Sequence, residues 1–138
     1  MAILDAEQLQ DILNEAFPSD DVPRVELVEG DTVLLCQPIT HRNGRPGGTL
    51  SGPTMMMLAD TTAWLAIMAQ VGPLLLAVTT SLHIDFLRKP QLNDLMARGR
   101  VLKLGRKLAV VDIELFSRES VELVAKAQVT YSLPSASQ

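Results

Sequence analysis

The chain has 138 residues, a formal charge of −4 and an apolar content of 47%, which predicts a single domain with a packed core and excludes a disordered chain. The single cysteine, Cys36, excludes internal disulfides and zinc sites built from several cysteines. The first ten residues lack a basic segment followed by an apolar run, so we expect no signal peptide and a cytoplasmic protein.

The chain opens with an acidic segment that predicts a helix and a hairpin. Residues 1–31 carry nine acidic side chains and one basic one. Apolar residues at the spacing i, i+3, i+4, i+7, i+8 predict an amphipathic helix over residues 5–17, capped by Asp5 and ended by a proline. Two β-rich runs, 24–28 and 32–38, predict a hairpin.

A loop of four glycines and two prolines, residues 41–53, precedes a second helix. Pro53 suits the first position of this helix, which extends to about Val71. The helix is apolar on all sides, which predicts a central, buried position. Polar residues and a Gly-Pro pair interrupt the apolar run, so it falls short of the ~20 residues that a membrane span needs.

The remainder of the chain predicts antiparallel strands. We expect them at residues 74–89, 95–104, 107–117 and 122–133, before a frayed tail at 134–138. An all-apolar helix cannot bury itself, and a sheet offers one face to cover it. We therefore predict one α+β domain, 1–138, in which an antiparallel sheet wraps a long central helix in the order α-β-β-α-β-β-β-β. Residues 1–22 are its N-terminal helix and linker.

A basic segment lies on these strands. Seven of the twelve basic residues fall between Arg88 and Lys107. They form either the solvated rim of the sheet or a site for a phosphate-bearing small ligand. Nucleic acid is disfavoured, because only 4% of the residues are aromatic and the chain outside this segment is acidic.

Asp60 is the most informative residue, because it is the only charged residue between Arg45 and His83 and lies on the buried helix. Burying a lone carboxylate is costly, so such a group is often functional. The structural alternatives are an ion pair with a basic residue on a strand or a favourable place near the helix start.

The glycine-rich loop is the second candidate feature. A helix N-terminus presents free backbone N–H groups to an anion or a developing oxyanion, and Gly52 is the natural donor because Pro53 has no N–H. A tight turn that needs glycine explains the loop equally well. Two histidines, His41 and His83, are too few and too scattered for a metal site; we expect His83 to pack or to form a hydrogen bond on its strand.

Three motifs in order resemble the hotdog-fold acyl-CoA thioesterases, and most closely their PaaI-like (phenylacetate-pathway) branch. They are Gly52-Pro53-x4-Leu58-Ala59-Asp60, then Val78-Thr-Thr-x3-Ile84-x-Phe86-Leu87-Arg88-x-Pro90, then Gly105-Arg106. The resemblance covers roughly residues 24–133. It implies the hotdog fold and hydrolysis of an acyl-CoA to an acid and CoA, with no metal and no cofactor beyond the CoA of the substrate. It also implies homodimers joined edge to edge, which pair into tetramers and hold active sites at the dimer interface.

The resemblance also implies residue roles. Asp60 would act as the nucleophile or as the base for water, the Gly52 N–H would polarise the thioester carbonyl, and Thr79 would orient the water. Basic side chains on the strands would meet the phosphates of CoA; the best matches are Arg88, Lys89 and Arg106.

The loop before the helix departs from the family pattern Asn-x2-Gly-x2-His-Gly-Gly. Ser51-Gly52-Pro53 stands at the His-Gly-Gly positions, and strict spacing puts Arg45 at the asparagine position, whereas the actual asparagine, Asn43, comes two residues earlier. Either the loop is two residues longer than in the family, or another residue has taken the role of the asparagine. A non-catalytic acyl-CoA-binding module would suit the missing histidine. The methionines and the tryptophan of the helix either line an apolar pocket or belong to the core.

A weaker resemblance links His41-x2-Gly-x-Pro46 to the His-Phe-Pro-Gly-x-Pro loop of the β-hydroxyacyl-ACP dehydratases, which share the hotdog fold. In those enzymes a histidine and a helix carboxylate act together. The 19 residues from His41 to Asp60 exceed the separation in that family, so a (de)hydratase is the third interpretation.

Overall fold

Ten helices and strands make up the part of the chain that the computed structural model describes. It describes residues 2–18, 22–39, 44–45, 49–90, 93–120 and 122–134, with only the backbone of 44–45 and 49–50. The elements are α1 Ala6–Ala16, β1 Arg24–Glu29, β2 Thr32–Gln37, β3 Gly44–Arg45, β4 Thr49–Leu50, α2 Gly52–Val71, β5 Val78–Phe86, β6 Leu95–Leu104, β7 Leu108–Ser117 and β8 Leu123–Ser132.

The predicted order of elements is confirmed, with two differences. The short antiparallel pair β3–β4 lies within the predicted loop. β5 begins at Val78 rather than at residue 74, because Leu75 and Leu76 form a turn and their side chains are exposed. An apolar run alone therefore did not separate this turn from the strand that follows.

Six strands form one antiparallel sheet in the order β1-β2-β6-β7-β8-β5, so β1 and β5 are its edges. The central helix α2 packs on β2, β6, β7 and β8 and buries twelve of its twenty residues. It packs tightly against β6 at Gly99, where an added Cβ would lie 2.9 Å from Thr62 Cγ2. The predicted α+β class, with a sheet around a long central helix, is confirmed.

The ends of α2 follow the sequence signals. Ser51 is the N-cap and Pro53 lies in the first turn, while Gly72 ends the helix with a φ of 93°, a conformation that favours glycine. No helix in the described ranges is long and apolar enough to cross a membrane.

The N-terminal helix α1 is fixed on the domain rather than free. Asp5 and Gln8 form a capping box, and Leu9 and Leu13 are fully buried. The Gln10 amide donates to the Pro23 carbonyl at 3.0 Å, and its oxygen accepts from the Val25 N–H at 2.7 Å. These bonds set the position of the middle of α1 relative to β1.

Candidate active site

Two hydroxyl groups hold the Asp60 carboxylate, which is half-buried on α2. Thr79 Oγ1 donates to Asp60 Oδ1 at 2.6 Å, and the Tyr131 hydroxyl lies 2.9 Å from the same oxygen. The tyrosine hydroxyl also lies 3.1 Å from the Asp60 carbonyl oxygen. Because both side-chain bonds end on Oδ1, no described residue occupies Oδ2. The arrangement fixes the carboxylate rotamer and leaves one oxygen free for chemistry.

Tyr131 is the functional neighbour that the sequence analysis missed. Burial raises the pKa of Tyr131, the charge of Asp60 raises it further, and the Thr79 hydroxyl acts in the opposite direction. The phenol therefore stays protonated and serves as a donor. The available signal was the alternation along β8, which puts the only tyrosine on the buried face, where a phenol needs a polar partner.

Gly52 begins α2, as predicted, but lies far from Asp60 within one chain. The two residues are eight positions apart, which is about 12 Å along a helix. A Cβ added to Gly52 would lie 3.6 Å from the Phe86 ring, so the helix start lies at the far end of β5 from Thr79. Within the described ranges, the Gly52 N–H has no hydrogen-bond acceptor.

The other predicted residues near the loop have separate positions. The Ser51 hydroxyl accepts from the Thr54 N–H at 3.3 Å and bonds the Thr54 hydroxyl at 2.8 Å, so it serves as the helix cap. Asn43 and His41 lie outside the described residues. His83 forms the expected bond on its own strand, with Nε2 3.0 Å from Asp85 Oδ2.

The three predicted phosphate-binding residues occupy opposite ends of the sheet. Arg88 and Lys89 follow the last residue of β5, and Arg88 contacts Glu122 Oε2 at 3.0 Å. Arg106 lies in the β6–β7 turn, which the sheet register aligns with Val78 at the start of β5. A nine-residue strand spans about 30 Å, so a single chain does not bring these cations together.

Two cavities meet at Asp60. The first, of about 430 Å³, lies beside β5. Its lining includes Phe17, Asp60, Trp64, Leu75, Thr79 and Tyr131. The second, of about 360 Å³, lies between α1 and α2. Its lining includes Leu13, Phe17, Val22, Met57, Leu58 and Asp60.

The two alternatives for the helix methionines and the tryptophan both hold in part. Met55 and Met68 are buried in the core, whereas Met57 is exposed and lines the second cavity. Trp64 is buried and also lines the first cavity. Phe17 is a further cavity residue that the sequence analysis did not single out, because nothing local indicates that the end of α1 reaches α2.

Known proteins resemble this chain in sequence and in fold. The sequence model of the thioesterase superfamily matches residues 47–124. A candidate esterase of Saccharolobus solfataricus is 32% identical over 83% of this chain and 79% of its own length. The structure of a candidate thioesterase from Silicibacter sp. TM1040 superposes with a TM-score of 0.89 at 39% identity, covering 97% of this chain and 94% of that chain.

A more distant structure shares the fold alone. It is a hypothetical thioesterase of Streptococcus pneumoniae TIGR4, solved with coenzyme A, at 20% identity and a TM-score of 0.73, covering 84% of this chain and 91% of that chain. The names of these relatives support a hydrolase of ester or thioester bonds. The match over residues 47–124 and the structural likeness together show that this chain belongs to the thioesterase superfamily and has its hotdog fold.

Proposed function

We propose that this protein is an acyl-CoA thioesterase of the PaaI-like branch, which hydrolyses its substrate to a carboxylic acid and CoA. The observation that carries the proposal is the Asp60 carboxylate, held at Oδ1 by Thr79 and Tyr131 and open at Oδ2 where two cavities meet. A protein of the same fold was solved with coenzyme A, which supports CoA as the thiol of the substrate.

The open oxygen supports two chemical routes. As a general base, Asp60 takes a proton from water, the hydroxide attacks the thioester carbonyl, and the C–S bond breaks as the proton passes to the departing thiolate. As a nucleophile, Asp60 displaces the thiolate and forms an anhydride, which water then cleaves. Neither route needs a metal or a cofactor beyond the CoA of the substrate.

Either route needs a donor for the developing oxyanion, and in one chain the Gly52 N–H lies too far away. A useful donor lies about 3 Å from the oxyanion, whereas Gly52 and Asp60 are about 12 Å apart along α2. We therefore propose that the site is completed by a second copy of the chain.

The edge strand β5 supports this dimer. If two β5 strands pair antiparallel about Leu82, the Val78 end of one strand lies beside the Phe86 end of the other. Asp60 bonds Thr79 at the first end, and Gly52 lies against Phe86 at the second. Asp60 of one copy would then lie beside the other copy's Gly52.

The proposed pairing of two β5 strands also determines which basic residues lie near one another. Arg88 and Lys89 follow the Phe86 end of β5, and the turn that contains Arg106 lies at the Val78 end. Antiparallel pairing would bring these two ends of different copies to the same end of the joined sheet. A CoA phosphate group would then meet cations from both copies.

Thiol release from a panel of acyl-CoAs tests the activity, with Asp60→Asn as the decisive variant. The asparagine keeps the side-chain size and still accepts from Thr79, so we expect the fold to persist. We expect at least a hundredfold loss of rate, since a positioned base contributes ~10²–10⁴-fold. Asp31→Asn, at an exposed carboxylate in the β1–β2 turn, is the matched control and should leave the rate unchanged.

Equal rates for Asp60→Asn and the wild type would show that Asp60 has no chemical role.

The second candidate function is a non-catalytic acyl-CoA-binding module. It is favoured by Ser51, which stands at the family's histidine position and uses its hydroxyl to cap α2. Thermal stabilisation by acyl-CoAs without any thiol release would support that module and contradict the thioesterase.

A further inference from the structure

We propose that the cavity between α1 and α2 holds the acyl group of the substrate, and that Phe17 determines which acyl groups are accepted. This inference rests on the proposed thioesterase function. A thioester carbonyl carries two arms, the acyl group and the thiol, and two cavities meet at Asp60. A carbonyl held at Asp60 would extend one arm into each cavity.

The chemistry of the two linings indicates which cavity holds the acyl group and which holds the thiol. The first cavity lies along the β5 edge and has the hydroxyl groups of Thr79 and Tyr131 among otherwise mostly apolar side chains. The second cavity has the apolar side chains of Leu13, Val22 and Met57 on its wall. An acyl group gains free energy by leaving water for the more apolar lining, whereas the thiol arm of CoA contains amides and suits the cavity that offers more hydroxyl groups.

The fold also leaves apolar surface uncovered at this place. Phe17 is 52% exposed and Met57 is 60% exposed, and both line the second cavity, while Phe17 also lines the first cavity together with Leu75, which is 65% exposed. Clustered apolar exposure beside a polar centre is typical of a ligand site. The volume of about 360 Å³ is at the small end of the range for ligand sites, ~300–1,000 Å³, so we infer a compact acyl group rather than a long fatty chain.

Phe17 lines both cavities, as do Asp60 and Thr61. It is the C-cap residue of α1, and its N–H donates to the Leu13 carbonyl at 2.9 Å. Its ring meets the Trp64 ring edge to face, with centroids 6.2 Å apart, and Trp64 Nε1 donates to the Leu74 carbonyl at 3.1 Å. Backbone and ring contacts thus hold Phe17 in place between the two cavities. The helix α1 lies before the residues that match the superfamily.

The test compares wild type, Phe17→Ala and Phe17→Trp on straight-chain acyl-CoAs from butanoyl to hexadecanoyl. Phe17→Ala removes the ring between the cavities and joins them, so we expect the preferred chain to become longer. The ratio of kcat/KM for long over short chains should rise at least tenfold, since each newly buried methylene contributes about fourfold. Phe17→Trp narrows the cavity and should shift the preference towards shorter chains.

Met57→Ala and Leu75→Ala form a matched control pair. Both side chains are exposed apolar residues, and each lines only one of the two cavities. We expect Met57→Ala to change the chain-length profile. We expect Leu75→Ala, in the thiol-side cavity, to change KM by the same factor for every acyl-CoA.

Three outcomes separate this inference from the proposed function. In the first, the wild type is active while Phe17→Ala and Met57→Ala change kcat/KM by the same factor for every acyl-CoA. In that case the second cavity does not hold the acyl group, and the proposed thioesterase function is unaffected. If only Leu75→Ala changes the chain-length dependence of kcat/KM, the first cavity holds the acyl group and the inference is also wrong. If the wild type releases no thiol, the proposed function fails. The melting temperature measured with the same acyl-CoAs then tests the cavity through the chain-length dependence of binding, and an identical dependence in Phe17→Ala contradicts it.

Discussion

The two hydroxyls on Asp60 act on one oxygen, and this asymmetry matters more than the number of bonds. A carboxylate that accepts one bond on each oxygen keeps only one lone pair free on each, whereas here both bonds end on Oδ1 and both lone pairs of Oδ2 stay free of described partners. Held at Oδ1 alone, by Thr79 and Tyr131, it keeps one rotamer and one reactive atom. The raised pKa of Tyr131, caused first by burial and then by Asp60, favours the protonated phenol, which can donate to the carboxylate.

Tyr131→Phe is the residue-scale test of this arrangement. The variant removes the bonds at 2.9 Å and 3.1 Å and leaves the Thr79 bond in place. We expect kcat for a thioester to fall about tenfold with KM almost unchanged, because the carboxylate samples more than one rotamer. Unfolding should cost about 1–2 kcal/mol less than in the wild type. A rise in KM with unchanged kcat would contradict a positioning role.

At the scale of elements, the contact between α2 and β6 at Gly99 sets where Asp60 lies relative to the sheet. A Cβ on Gly99 would lie 2.9 Å from Thr62 Cγ2 and 3.2 Å from Ile113 Cδ1. Thr62 cannot turn away easily, because its hydroxyl donates to the Leu58 carbonyl at 2.7 Å and a β-branched residue in a helix has few rotamers. The helix thus lies as close to the sheet as the side chains allow.

Gly99→Ala should therefore lower the free energy of unfolding by about 1–3 kcal/mol, the usual cost of overpacking. The double variant Gly99→Ala with Thr62→Ser removes the clashing methyl and keeps the hydroxyl bond. We expect it to recover much of the loss in urea unfolding measured by circular dichroism. A double variant no more stable than Gly99→Ala alone would show that the contact with Thr62 is not the cause.

At the scale of the whole molecule, the proposed dimer explains two features together. One is the exposed edge strand β5, and the other is the separation of Asp60 from Gly52. The strand carries exposed polar residues, and the groups needed for one reaction lie at its two ends. In antiparallel pairing about Leu82, Ser81 of one copy opposes the other copy's His83.

The double variant Ser81→Asp with His83→Asp tests the pairing. It sets like charges opposite each other at the centre of the joined edge, where they destabilise the pair. We expect the mass in sedimentation to fall from that of a dimer to the 15.0 kDa of one chain, with loss of thiol release. Leu102→Asp with Leu104→Asp, at exposed positions of β6, is the control of equal charge. A wild type that is both monomeric and fully active would contradict the proposal.

Most of the fold was predictable from the sequence, because its signals are local. Periodicity and the Asp5 cap located α1, and Pro53 and Gly72 located the two ends of α2. The site was predictable only in part. Tyr131 is 71 residues from Asp60, and its contact depends on the register of β8. Phe17 reaches α2 only through the packing of α1, which no single segment encodes.

The position of Trp64 makes it an intrinsic fluorescence probe of the candidate site. It is the only tryptophan of the chain, its ring meets Phe17, and it lines the cavity beside Asp60. We expect a molecule that enters this cavity to change the polarity around the indole. The intrinsic fluorescence of the unmodified protein should therefore report occupancy directly, in titrations that need neither turnover nor a dye.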